Sequence, residues 1–250
     1  IPKRDWSSDV CSSDLGVLIV FAVLFLLWEY AVWLFGVKEY LLPPPSKVWV
    51  EFMKRSNTVM QGAVVTTQEI VGGYLLAVFV SIPLALAVAR SRFIEESVYP
   101  VVVFLQIIPK IAIAPLFIIW LGFGFTPKLL IVFLLCFFPI VVSSVAGFKA
   151  VDPEVMDFAH TTGASGWRMF MKIRLPQALP EIFTGLKVGA ALSATAAVVA
   201  EFVAADRGLG YLLQQYNGQL DTPMVFAIIV LRSEEHTSEL QSRFGISYAV

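Results

Sequence analysis

Residues 157–182 read DFAHTTGASGWRMFMKIRLPQALPEI, a polar and basic stretch broken by Gly and Pro inside an otherwise apolar chain. Its first part has the grammar of a helix. Asp152 can cap it, Pro153 suits the first turn, Glu154 favours the positive end of the helix dipole, and Gly163 ends it. Val155, Phe158, Ala159 and Thr162 then share one mostly apolar face. A second helix is expected from Ser165 to Arg174, ended by Pro176, with Trp167, Phe170 and Met171 on one face and Arg168 and Lys172 on another. The pattern is helix, glycine hinge, helix, with apolar contacts displayed outside the bilayer. Such a surface either docks a protein partner or lies on lipid headgroups, and side-chain periodicity leaves both open.

The surrounding sequence is membrane sequence. Of 250 residues, 58% are hydrophobic and 15% charged, with a mean hydropathy of +0.78. Soluble domains carry about 25% charged residues, so the chain is expected to be an all-α, polytopic membrane helix bundle. Spans are expected at about 15–35, 68–89, 98–121, 127–147 and 181–204, with a sixth beginning near Pro223 and cut short after the apolar run PMVFAIIVL. Pro109 and Pro115 should kink the third. LLPPPSKVWVEFMK, within the 36–66 connection, reads as a proline-stiffened turn and a short amphipathic helix. Residues 1–14 and 232–250 differ sharply from what they adjoin, lack helical or strand periodicity, and resemble translated adaptor DNA. Both are read as non-native tails flanking a transmembrane domain at 15–231.

Arg90 and Arg92 in the 90–97 loop, and Lys149, Arg168, Lys172 and Arg174 in 148–180, place those segments in the cytoplasm. Lys128 and Arg207 fall in the opposite loops. A net charge of −1 gives no reason to invoke nucleic acid. Cys11 and Cys136 form no CxxC pair, so zinc and redox readings have nothing to rest on. The GASG at 163–166 matches an intramembrane serine protease motif, but that chemistry needs a His on another helix. His160 shares the short helix of the motif and His236 lies in the C-terminal tail. No GxxxxGK[ST] occurs, so ATP is not bound through a P-loop.

The opening stretch resembles the coupling loop of ABC-importer permeases, whose pattern is Glu-Ala-Ala, three residues, Gly, nine residues, Ile, one residue, Leu-Pro. Asp157, Phe158 and Ala159 stand at the triplet, Gly163 follows at the required spacing, and Ile173, Leu175 and Pro176 fall in register. Asp replaces Glu and Phe replaces the first Ala. LQIIPKIAIAPLFIIWLGFG and VVAEFVAADRGLGYLL are similar to the nitrate, sulfonate, taurine and thiamine-precursor branch. The resemblance implies a MetI-like permease fold with a cytoplasmic coupling helix, multi-pass in the bacterial inner membrane. It also implies a coupling loop at 152–176 that docks onto cytoplasmic ATPase subunits. The expected partners are an extracytoplasmic substrate-binding protein and a second permease copy. ATP and Mg would sit on the ATPase, and no cofactor on this chain.

Two further sets of residues are singled out as pathway or interface candidates. Gly185, Gly189, Ser193 and Ala197 recur every four residues, with Glu201 continuing their face. This stripe either packs a helix pair or lines the path. Lys110 lies about 15 Å along a helix from Pro100, near mid-bilayer, where a lone Lys costs about 2.5–3.5 kcal/mol and should face water or a partner. Pro109 frees a carbonyl that could accept its ammonium, and Glu201 is a countercharge if the helices bring the two together. The rival to the importer reading is an ATP-independent secondary transporter or channel using Lys110 and Glu201.

Overall fold

A computed structural model of the chain describes residues 6–151, 155, 161, 166–204 and 206–243; side chains are described over 19–151, 155, 161, 166, 168–203 and 206–232. The described elements are helical. In order they are α1 (Trp6–Leu34), α2 (Pro45–Lys54), α3 (Ser56–Arg90), α4 (Arg92–Ser97), α5 (Tyr99–Ile107), α6 (Lys110–Leu121) and α7 (Phe125–Lys149). There follow α8 (Gly166–Met169), a π-helical turn (Phe170–Arg174), α9 (Leu175–Ala204), α10 (Leu209–Gly218) and α11 (Thr222–Arg243).

Among the described residues, three stretches are long and apolar enough to cross a membrane: Ser56–Arg90, Phe125–Lys149 and Phe170–Val203. A fourth, Arg92–Ile107 with Lys110–Leu121, is bent by 97°. The kink expected at Pro109 is therefore a full break: Ile108 turns to extended backbone and Pro109, which has no N–H to give, caps α6. Pro115, inside α6, does not interrupt it. The apolar helices Ile19–Leu34 and Thr222–Arg232 are shorter over their described side chains. Five uninterrupted spans are thus not what the described residues provide. Helix also covers parts of both end segments that lack apolar periodicity, from Trp6 in α1 and to Arg243 in α11.

The chain divides into two compact units, one of Ile1–Val59 and Leu212–Ser233, the other of Met60–Tyr211 and Glu234–Val250. The core of the second unit is built by α3, α7 and α9. One cluster joins Ala85 and Val88 of α3, Phe138, Val141, Val145 and Phe148 of α7, and Ala178 and Ile182 of α9. A second joins Tyr74, Val132, Cys136, Ile140, Ala190 and Ala197. Small residues set the spacing. A methyl group on Gly73 would stand 2.6 Å from Val132, one on Gly185 2.7 Å from Ser143 Cβ, and one on Gly147 2.8 Å from the Ala178 carbonyl oxygen. Without a hydrophobic drive between helices in lipid, this close approach supplies the association through dispersion contacts. Lys149 pairs with Glu95 at 2.7 Å, which puts the basic 90–97 segment and the end of α7 on one side of the core.

The first unit is held by polar ties. Ser46, at the start of α2, donates its N–H (3.1 Å) and hydroxyl (2.7 Å) to the Glu29 carboxylate of α1. Arg55 pairs with Asp221 at 2.7 Å, and the Thr222 hydroxyl donates to the Tyr40 carbonyl at 2.9 Å. Trp28 packs against Phe226 with ring centroids 5.7 Å apart.

Backbone atoms cannot be pushed aside as a flexible side chain can, so Gly147→Ala should cost about 1–3 kcal/mol by overpacking. Gly218→Ala, where a methyl group meets nothing within 4 Å, should be near neutral. Thermal melting of the two variants in detergent checks the contrast; equal midpoints would remove the close-packing account.

Candidate functional site

Of the polar stretch, Thr161 and the residues from Gly166 onward are described. Asp157, Phe158, Ala159 and Gly163 lie outside the described residues, so their placement carries no statement here. Downstream, the expected stop at Pro176 does not occur. The chain runs from α8 through the π-turn at Phe170–Arg174 directly into α9. Pro176 lacks an N–H and its ring crowds the carbonyl four residues earlier, Lys172, which would break an ordinary helix. A π-turn widens the backbone at that place and absorbs the conflict. Beyond it, Pro180 is also carried within the helix, and the Thr184 hydroxyl donates to its carbonyl at 2.9 Å. Met169 is buried, Phe170 tilts against Phe148 with ring centroids 6.1 Å apart, and Leu175 packs on the first core cluster. Ile173 and Leu175 are half-buried, Pro176 exposed. The basic residues Arg168 and Lys172 are exposed beside this anchor.

At the other end of α9 lies a charge cluster that the sequence reading only partly recovers. Glu69 of α3 and Glu201 of α9 are each 0% exposed and Lys128 of α7 is 2% exposed. Lys128 Nζ stands 2.5 Å from Glu69 Oε1 and donates to the Arg207 carbonyl at 3.3 Å. The approach to Glu69 lies outside hydrogen-bond geometry, and neither of its carboxylate oxygens has a hydrogen-bond partner among the described residues. Glu201 is better served. The Thr66 hydroxyl donates to its Oε1 at 2.6 Å while accepting the Leu209 N–H at 2.9 Å. The Gly210 N–H donates to Oε2. Leu209 and Gly210 are the first residues of α10, so Glu201 occupies the positive end of a helix dipole.

Two glycines make this possible. Gly208 has φ +120, a left-handed conformation that side chains rarely adopt, and a methyl group there would strike the Glu201 carboxylate. A methyl group on Gly210 would come within 2.8 Å of Glu201 Cβ. The Arg-Gly-Leu-Gly run at 207–210 is therefore a socket shaped around one carboxylate.

Lys110 is placed elsewhere. Its ammonium donates to the Gln106 carbonyl at 2.7 Å, across the α5–α6 break, and lies 4.9 Å from the Phe138 ring centroid. The cation that faces Glu201 and Glu69 is Lys128, not Lys110. Gly185 and Gly189 face α7, against Ser143 and Ile140, with Tyr74 of α3 also near Gly189. Ser193 and Ala197 are buried within the same unit. Sequence reasoning missed Glu69 and Thr66, and took Lys128 for a loop charge. The available signal was Glu69 in the run TTQEIVGGYLL, an acid at the edge of an apolar helix that demands a cation. It also missed α10, although Leu209, Leu212, Leu213 and Tyr216 fall at helical spacing and all four are buried.

Residues 70–232 match the family of binding-protein-dependent transport system inner membrane components. The riboflavin transport system permease protein of Chloroflexus aurantiacus is 35% identical over 86% of this chain and 81% of its own. The formylaminopyrimidine transport permease protein of Halalkalibacterium halodurans is 32% identical over 86% of each chain. The taurine transport system permease protein of Escherichia coli is 32% identical over 84% of this chain and 79% of its own. Among solved structures, an inward-facing conformation of the MetNI methionine ABC transporter matches 75% of this chain and 97% of its own, with a TM-score of 0.58 at 15% identity, which shows the fold. The chain belongs to the family of binding-protein-dependent transport system inner membrane components. It is a multi-pass transporter subunit of the inner membrane, with a MetI-like fold.

Replacing Lys128 by Met leaves two buried carboxylates without their cation, which should cost about 3–5 kcal/mol. Pairing it with Glu69→Leu removes the orphaned charge with its partner and should recover a large part of that loss. Melting midpoints of the single and double variants in detergent provide the check. A single variant as stable as the parent would mean that the cluster contributes nothing.

Proposed function

We propose that the chain is the permease subunit of an ATP-driven ABC importer for a small solute of the sulfonate, nitrate, taurine or pyrimidine type. A partner ATPase moves it through the 152–176 coupling loop. ATP and Mg bind to that partner, an extracytoplasmic binding protein delivers the solute, and a second copy of the chain completes the permease. The relatives support the class. Relatives that serve riboflavin, formylaminopyrimidine and taurine transport support a small organic solute as the cargo proposed for this chain.

The observation that carries the mechanical reading is the unbroken passage from α8 through the π-turn into α9. A helix is stiff along its axis, and this one is gripped at its base by Met169, Phe170 and Leu175. Force applied before Gly166 therefore reaches α9 as displacement and is not lost in a flexible joint. Asp157, Phe158, Ala159 and Gly163, with Ile173, Leu175 and Pro176 behind them, are the residues proposed to receive the ATPase. Lys110, Gly185, Gly189, Ser193, Ala197 and Glu201 are the pathway and interface candidates. Of these, Lys110 is placed at a helix break, where backbone groups must face protein or water rather than lipid.

Co-expression with an ABC ATPase from the same genome tests the assignment. Gly163→Pro should abolish co-purification of the ATPase, because proline fixes φ and removes a backbone donor at the hinge, while membrane insertion stays unchanged. Undiminished ATPase capture by the variant would contradict docking through this loop, and failure of the parent chain to capture any ATPase would favour an ATP-independent carrier.

A further inference from the structure

The charge cluster at the end of α9 holds more negative charge than it can balance. Glu69 and Glu201 are 0% exposed and Lys128 is 2% exposed, so no solvent screens them. Counted as fully ionised, two carboxylates and one ammonium leave one net negative charge in the interior. A buried charge without a partner is so unfavourable that the group neutralises instead. Two carboxylates that share a site resolve their repulsion in the same way, by one of them keeping a proton. The charged groups that face Glu69 are Lys128 of α7 and Glu201 of α9. Asp206 and Arg207, in the segment before α10, are exposed.

The hydrogen bonds say which carboxyl is the neutral one. Glu201 is surrounded by donors. The Thr66 hydroxyl reaches its Oε1 at 2.6 Å, the Gly210 N–H reaches Oε2, and both oxygens lie at the positive end of α10. Each of these favours the ionised form. Glu69 has no such support. Neither of its oxygens has a hydrogen-bond partner among the described residues, and Lys128 Nζ, 2.5 Å from Oε1, approaches outside hydrogen-bond geometry. Yet the Glu69 side chain meets that of Glu201 directly. Two ionised carboxylates can only accept hydrogen bonds, so between them such a contact is repulsive. A single proton turns it into a charge-assisted O–H···O hydrogen bond.

We infer that Glu69 is a proton-binding site, standing in the folded chain as a neutral carboxylic acid whose O–H donates to the Glu201 carboxylate. The proton is taken from water, and the O–H bond is the one covalent bond made. One ammonium and one carboxylate then remain, and the cluster is neutral in sum. The Glu201 carboxylate becomes the common acceptor for three segments: Glu69 and Thr66 from α3, and Gly210 from the start of α10. The site holds whether or not an ATPase drives the chain.

The test uses the full chain in lipid vesicles at neutral pH, produced with glutamate carrying carbon-13 in its side-chain carboxyl. Infrared spectra of the parent should contain the isotope-shifted carbonyl stretch of a protonated carboxyl group, and Glu69→Gln should lose it. Glu69→Gln should also keep the parent's melting midpoint, because its amide retains a donor for Glu201 and an oxygen for Lys128. Glu201→Gln should lower the midpoint, because its amide offers one oxygen to two donors, the Thr66 hydroxyl and the Gly210 N–H. Absence of the band from the parent, or its persistence in Glu69→Gln, would overturn the inference. A midpoint lowered as far by Glu69→Gln as by Glu201→Gln would overturn it too, by showing that Glu69 carries charge. If Glu201→Gln fails to fold, the infrared comparison of the parent with Glu69→Gln still decides. Neither readout depends on ATPase docking.

Discussion

A buried ammonium between two buried carboxylates is the constraint around which the membrane unit is organised. Moving any of the three groups out of water costs several kcal/mol, and each has been taken from a different place in the sequence. Glu69 comes from α3, Lys128 from the first turn of α7, and Glu201 from the last turns of α9. They tolerate burial only together, so the ends of those helices must meet there and in one register. The Gly208–Gly210 socket and the N-terminus of α10 then complete the coordination of Glu201. Dispersion between close-packed helices tolerates small slips, whereas an ion pair with misplaced partners does not. The charges specify the arrangement that the small residues make tight.

This anchor lies at one end of α9, and the π-turn lies at the other. Between them the helix is packed on α7 through Gly185 and Gly189, where a larger side chain would collide with Ser143 or Ile140. A rod held at its far end and gripped at its base suits a subunit driven from outside its own chain. Under the proposed function, displacement would enter through the 152–176 loop, and a cluster that stayed closed at the far end of α9 would keep the buried carboxylates with their cation.

Much of the membrane architecture was legible because apolar run length is a direct consequence of bilayer thickness. The cores of α3, α7 and α9 lie where the runs predicted them. What escaped were features set by contacts between distant segments. Pro176 reads as a stop in isolation and is a continuation in the fold, because a π-turn accommodates it. Pro109 reads as a kink and is a break of 97°. Lys128 reads as a loop charge; only the approach of α3 and α9 turns it into the centre of an ion cluster. Glu201 was visible as an acid at the end of a span, but its partner was sought in Lys110, which satisfies itself on the Gln106 carbonyl.

The most direct measurement is solute uptake by the permease reconstituted in vesicles with its ATPase and binding protein. Taurine, formylaminopyrimidine and riboflavin would be offered in turn, with ATP supplied on the ATPase side. The account predicts accumulation of one such solute that requires ATP and the binding protein and is indifferent to ion gradients. Uptake that proceeds without ATP and follows a proton or sodium gradient would contradict it.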